Sequence, residues 1–305
     1  MTPLDLPIPL ADLHRHLDGS LRPATVEELA ARDGLDLPPD LAFFPGMGLS
    51  EALARFAFTL KLLRTPERVC RVAAEICEDA AAEGVTTLEI RFAPQLHPGA
   101  TPEAIVDAAL AGIDGRAGLI LCGLYGEPPG QLDRLVEIAG PRPGVVGLDL
   151  AGGPSPDHRW TMSDYGGAFR RAAELGLGRT VHAAEGRGPE EIRVAVEELG
   201  AQRIGHGTTL LEDPRVLELV LERQVTIEAC PSSNVHVGVI ERVADHPLPR
   251  WLRAGVQACV CTDNTLLSAV DASEELKRCA AIPGMNHALI QQAVSWGHAA
   301  AFQRS

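Results

Sequence analysis

The chain has 305 residues, 46% of them hydrophobic, with 41 acidic and 27 basic side chains and a formal net charge of −14. That apolar content excludes wholesale disorder, and the acidity argues against the basic surface of a protein built to grip nucleic acid. Seven cysteines without a Cys-x-x-Cys pair read as buried free thiols rather than a disulfide framework. No apolar run reaches the length of a membrane span, and residues 1–11 lack the basic region of a signal peptide, so a soluble, cytoplasmic protein is expected.

Short apolar or β-branched runs alternate along the chain with helical patterns. Eight runs read as strands: 11–17, 86–93, 119–125, 145–151, 179–183, 203–207, 225–229 and 256–262. Between them, 104–111, 131–139, 165–175, 189–198, 214–222 and 247–254 read as helices. Start and stop signals support these. Pro189 stands at a helix start with Glu190 and Glu191 in the first turn, Asp213-Pro214 repeats the signal, and Gly176, Gly200 and Gly255 stand as stops. Strand-helix alternation demands a parallel sheet, and eight units in this length suit a closed (β/α)8 barrel of the α/β class. An open doubly wound sheet is the alternative, but the first strand is followed by Leu17-Asp18-Gly19-Ser20, not by a glycine-rich phosphate loop. Residues 22–83 exceed one crossover. Their helical runs, 23–32, 49–63 and 66–82, predict an insertion over the barrel mouth within one domain spanning 1–305.

Barrel enzymes gather their chemistry at the C-terminal strand ends. Strand one ends in His14-Arg15-His16, whose i, i+2 spacing puts both imidazoles on one face. Strand five ends in His182, with Glu185 three residues on. Strand six ends in His206 between Gly205 and Gly207, and strand eight ends in Asp263-Asn264. His14, His16, His182 and Asp263 together match the donor set of a divalent metal. The only lysines, Lys61 and Lys277, fall in helical segments, so a lysine-bridged pair of metals is disfavoured and a single ion preferred. His97, His158, His236, His246, His287 and His298 read as structural or solvent-exposed. The protease helix, the hydrolase elbow, the nucleotide-binding loop and the cytidine-deaminase zinc signature are all missing.

The run from His14 to Pro23, HRHLDGSLRP, resembles the opening motif of the adenosine deaminase family in the amidohydrolase superfamily. The resemblance continues in family order through Leu88-Glu89-Ile90-Arg91-Phe92, Asp149-Leu150-Ala151-Gly152, His182-Ala183-Ala184-Glu185, Arg203-Ile204-Gly205-His206-Gly207, Cys230-Pro231-Ser232-Ser233-Asn234 and Thr262-Asp263-Asn264. It implies a zinc-dependent hydrolytic deaminase on a (β/α)8 barrel, with one Zn2+ per chain held by His14, His16, His182 and Asp263. It also implies that Glu185 donates a proton to purine N1, that His206 steadies the attacking water and the oxyanion, electrostatically if charged, and that Asp263 accepts the water proton. Gly152 would offer its backbone to the purine, Asp18 would reach the ribose, Asn264 would face N7, and His16 would also border the substrate. Zinc brings the pKa of water to about 7, and a buried carboxylic acid suits protonation of the ring.

The chain departs from the family pattern at three places. Asn264 follows Asp263 where a second aspartate is usual, and an amide donates without titrating. Ala184 stands beside the acid in place of a glycine, and Gly153-Pro154 replaces two acids near the purine or sugar rim. The chain is also expected to stop soon after strand eight. The first expectation is deamination of adenosine and 2′-deoxyadenosine. Alternatives are a modified adenosine, such as 6-aminodeoxyfutalosine or 5′-methylthioadenosine, and free adenine. A non-purine metal hydrolase on the same barrel is a further reading. A binding module without activity would have lost the acid or a ligand, and both are present. The partner expected is a small purine nucleoside, with no nucleic acid and no membrane, and the sequence leaves monomer and homo-oligomer open.

Overall fold

The computed structural model describes residues 9–153 and 158–303. Residues 1–8, which carry part of the leader expectation, and Pro154 lie outside the described residues. Eight strands form one sheet in chain order, every neighbouring pair parallel: β1 (Leu10–His16), β2 (Val85–Phe92), β3 (Gly118–Leu124), β4 (Val145–Ala151), β5 (Gly178–Ala183), β6 (Arg203–His206), β7 (Thr226–Ala229) and β8 (Gln257–Val260). The barrel closes at the mouth, where the His16 N–H donates to the Asp263 carbonyl and the Asp263 N–H to the His14 carbonyl, both at 2.7 Å. The doubly wound alternative is thereby excluded. Strand limits agree with the sequence reading to one residue except for β8, which ends at Val260 because the chain leaves the ladder on its way to Asp263.

The insertion holds α1 (Pro23–Asp33), α2 (Leu49–Leu62) and α3 (Pro66–Ala82). Proline opens α1 and α3, and Gly34 ends α1 in the left-handed conformation. The three differ in what they cover. Leu49, Leu53, Phe56 and Leu60 of α2 line the cavity at the barrel mouth. α3 packs on the outside of β2 and against α4 (Pro102–Ile113), as an ordinary crossover helix does. The remaining crossovers are α5 (Pro129–Ala139), α6 (Gly166–Glu174), α7 (Glu190–Glu197), α8 (Pro214–Glu222), the six-residue α9 (Pro231–His236) and α10 (Leu248–Arg253). The expectation that the chain stops soon after strand eight is corrected. Two more helices follow, α11 (Ala272–Ala280) and α12 (His287–Ala300), capped by the side chains of Asp271 and Asn286.

Burial explains the strand alternation. Ile90, Phe92, Leu148, Leu150, Val181, Ile204 and Ile227 face outward into one apolar core beneath the helices. The alternate positions point into the barrel, and many are charged: Glu89, Arg91, Asp149, Arg203 and Glu228 are all nearly inaccessible to solvent. Arg91 bonds Asp149 at 2.9 Å and Glu228 at 2.9 Å, joining β2, β4 and β7 across the lumen. Buried charges of this kind are tolerated only when paired. Among the described residues all seven cysteines are free, and six of them are buried.

Candidate active site and metal centre

The strand-end residues expected from sequence converge on one cavity of about 320 Å³ at the mouth of the barrel. Its walls include His16, Asp18, Gly152, His182, Glu185, His206, Asp263 and Asn264, with His14 fully buried directly beneath. Four strand ends turn through the left-handed region there, at Gly152 (φ 73°), Ala184 (56°), His206 (69°) and Asp263 (62°). Three of these are not glycine, and such strain gathers where side chains must be aimed. Gly205 makes room for the ligand cluster, because a Cβ there would lie 2.9 Å from the His14 ring.

Two buried carboxylates aim the imidazoles. Glu228 sits 2.7 Å from His14 Nδ1, and Asp149 sits 3.0 Å from His182 Nδ1. Each therefore leaves the Nε2 lone pair of its ring facing inward, the arrangement found around metal-bound histidines. His16 Nε2 lies 3.3 Å from His182 Nε2. Asp263 Oδ1 stands 3.4 Å from His16 Nε2 and 3.6 Å from His14 Nε2. The backbone bonds that close the barrel are what bring Asp263 to the histidine pair.

The residues fit a metal on observations of the site itself. His14 Nε2 is buried and has no hydrogen-bond partner, an arrangement that is costly unless a ligand satisfies it. The donor atoms of His14, His16 and His182 all lie within 4.8 Å of one another. Burial pushes His14 and His16 well below the ordinary imidazole range, so both are neutral donors, as metal binding requires. At His182 burial is outweighed by Asp149, which raises the ring. A second set, His14, Cys230 and Asp263, meets the same distance limit. It shares only His14 with the first.

Across the cavity, burial raises the Glu185 carboxyl, with His182 and Arg187 opposing. Its Oε1 is 3.5 Å from His206 Nδ1. Burial also pushes His206 down to about 3, so the ring is neutral. Asp18 is pushed up to about 7 by burial, and its Oδ1 is buried without a partner. Asp263 is raised as well, by burial, although Ser233 hydrogen-bonds it.

Sequence reasoning missed the supports. The Asn234 side chain bonds His206 Nδ1 at 3.0 Å and also bonds Glu185, linking the two groups that face the metal donors. Ser233, Asn234, Arg91 and Asp149 stand inside motifs already singled out, and that placement was the available signal, whereas Glu228 lies on β7 outside all of them. The six other histidines behave as expected. His97 bonds the Leu63 carbonyl, His298 bonds Thr87, His236 bonds Ser268 and His246 stacks on Trp251. His158 stacks on Tyr125, and His287 is exposed.

Comparison with known proteins agrees with this geometry. The chain is 34% identical to adenosine deaminase of Klebsiella pneumoniae (strain 342), over 98% of this chain and 95% of the relative. It is 35% identical to adenosine deaminase of Serratia proteamaculans (strain 568), with the same shares covered. Among solved structures it superposes on adenine deaminase from Arthrobacter aurescens with a TM-score of 0.85 and 25% identity, covering 96% of this chain and 94% of that one. It also superposes on the Arabidopsis N6-mAMP deaminase with a TM-score of 0.85 and 23% identity, covering 96% and 93%, a likeness that speaks for the fold alone. The family model described as adenosine deaminase matches residues 9–304, and the chain belongs to the adenosine deaminase family.

Proposed function

We propose that the protein is a zinc-dependent hydrolase that deaminates a 6-aminopurine nucleoside, converting adenosine or 2′-deoxyadenosine to inosine or deoxyinosine and ammonia. Family membership makes it a hydrolase acting on amidine C–N bonds. The observation that carries the finer reading is the meeting of three imidazole Nε2 atoms and the Asp263 carboxylate opposite the buried acid Glu185.

His14, His16, His182 and Asp263 would hold one zinc ion. When bound, zinc acts as a Lewis acid that lowers the pKa of water to about 7. The remaining roles fall to the chain's own groups. Glu185, whose carboxyl is raised by burial, gives its proton to purine N1 as charge builds on the ring. His206, a neutral ring whose Nδ1 faces Asn234, steadies the water and the developing oxyanion by hydrogen bonding. Asp263 takes the water proton. Asp18 receives a ribose hydroxyl, Gly152 presents its backbone to the base, and the Asn264 amide serves N7 at any pH.

One feature favours a second substrate reading. Among the described residues none of those lining the cavity is Lys or Arg, and the α2 wall is apolar. This lining suits an uncharged 5′ group and disfavours a nucleoside phosphate, so 5′-methylthioadenosine is the alternative kept in view. Free adenine and 6-aminodeoxyfutalosine complete the set. We read residues 1–305 as one catalytic domain with an insertion at about 22–83, placed in the cytoplasm. No helix among the described residues is long and apolar enough to cross a membrane.

The test is loss of adenine absorbance with adenosine, deoxyadenosine, 5′-methylthioadenosine, adenine and 6-aminodeoxyfutalosine at equal concentration. The two unmodified nucleosides are expected to give the highest kcat/KM. A tenfold preference for any other member would replace them as the substrate.

A further inference from the structure

The end of the barrel opposite the cavity is closed by the chain segment that follows α12. A line of contacts runs from that segment to His14. The Phe302 ring lies on the Arg203 guanidinium, with Cζ 3.6 Å from the ring centroid. Gly147 on β4 and Gly178 on β5 leave space for the ring, since a Cβ at either would come within 2.8 Å or 2.1 Å of it. The Phe302 N–H donates to Glu89 at 2.5 Å, and Arg203 donates to the Ala300 carbonyl at 2.9 Å and to the other Glu89 oxygen at 2.5 Å. Arg203 Nε stands 2.7 Å from Glu228 Oε1 as an ion pair, and the Thr180 hydroxyl donates to the same oxygen. The second oxygen of the same carboxylate, Glu228 Oε2, stands 2.7 Å from His14 Nδ1.

We propose that Phe302 is a positioning residue for the metal centre, acting from the barrel floor through Arg203 and Glu228 on His14. The physical argument is one of hydration and aim. Arg203, Glu89 and Glu228 are almost wholly buried, and a polar cavity of about 410 Å³ lined by Arg179, Gln202 and Gln257 opens beside Phe302 at this end. Without the ring, water reaches the Arg203–Glu89 pair, and the guanidinium gains an alternative to holding Glu228. Glu228 then turns more freely, and His14 loses the carboxylate that fixes its tautomer and orientation. Partners one step beyond a metal's own ligands typically govern affinity by 10- to 100-fold. A ring over guanidinium is also a favourable contact in its own right.

The experiment uses full-length, zinc-loaded protein and a chromogenic chelator. Phe302→Ala is expected to release zinc about tenfold faster than wild type or more. Phe302→Tyr, which keeps a ring on the guanidinium, is expected to release it at the wild-type rate. Leu135→Ala, a buried truncation on α5 outside this line of contacts, reports the effect of lost stability alone and is expected to leave release unchanged. If Phe302→Ala does not fold, Arg203→Lys carries the same expectation, because it keeps the charge but loses the planar fork. The inference rests on the proposed metal site. Wild-type protein that takes up no zinc overturns that site. Wild-type protein that holds zinc, with Phe302→Ala releasing it no faster than wild type or than Leu135→Ala, overturns the role of Phe302 alone.

Discussion

Glu185 is the residue on which the proposed chemistry turns. It is buried, its carboxyl is raised by that burial, and Asn234 ties it to His206. Glu185→Gln keeps the shape and the hydrogen bond but has no proton to give. We expect kcat to fall at least 100-fold, in keeping with the size of general acid catalysis, with zinc content unchanged by elemental analysis; near-native turnover would remove the proton donor. Because the protonated form is the active one, wild-type kcat/KM should fall as pH rises through the raised pKa of this carboxyl, and a profile that stays flat to alkaline pH would contradict it. Asp18→Ala tests the sugar contact, since it should raise KM for adenosine by about tenfold and leave any turnover of free adenine unaffected, as loss of uniform binding does. The strand-end side chains were legible in the sequence because barrel geometry says where to look. Arg91 and Glu228 were not. Alternation such as Leu88-Glu89-Ile90-Arg91-Phe92 usually turns charges to solvent, and only the closed barrel shows them turned into the lumen, where they pair.

Elements were legible where a following strand forces a crossover. Pro66–Ala82 and Pro214–Glu222 match the sequence reading to the residue, helped by proline at the helix start. α9 runs only over Pro231–His236, too short for a helical period to show in the sequence. α11 and α12 follow the last strand, where alternation no longer demands anything. α11 matters nonetheless. Its Glu275 accepts from the Ser232 N–H at 2.8 Å and the Ser232 hydroxyl at 2.5 Å, docking it on α9, which carries Ser233 and Asn234. Burial pushes Glu275 up to about 7. Its folded-state pKa is thus above its unfolded value, so its contribution to stability is full at acid pH, below the unfolded pKa, and is lost as pH rises toward and through about 7. Urea unfolding between pH 5 and pH 8 should therefore show a decline that Glu275→Gln reduces, by up to about 3 kcal/mol. An unchanged slope in that variant would contradict the assignment. On α2, Phe56→Ala should raise KM several-fold with little change in kcat, because its ring supplies wall rather than chemistry. A fall in kcat with KM unchanged would mean that it shapes the reacting geometry.

At the scale of the whole molecule, the barrel is built with an unusual interior. Apolar strand faces are spent outward on the helices, and the lumen holds a ladder of charges from Glu89 and Arg203 at the floor to Asp149, Glu228 and the histidines at the mouth. Closure of the sheet brings residues 14, 16 and 263 together although they lie at opposite ends of the chain. A parallel barrel was legible from strand-helix alternation, whereas the seam that aims Asp263 depends on two backbone bonds and a left-handed turn that no composition or spacing encodes. The central claim is that His14, His16, His182 and Asp263 hold one zinc ion. Zinc-edge X-ray absorption on metal-loaded protein of known concentration tests it most directly. The account predicts one zinc per chain, with nitrogen scatterers at about 2.0–2.1 Å, oxygen at about 2.0–2.2 Å and no sulfur. A sulfur scatterer at about 2.3 Å, which Cys230 would supply, or two zinc ions per chain, would contradict it.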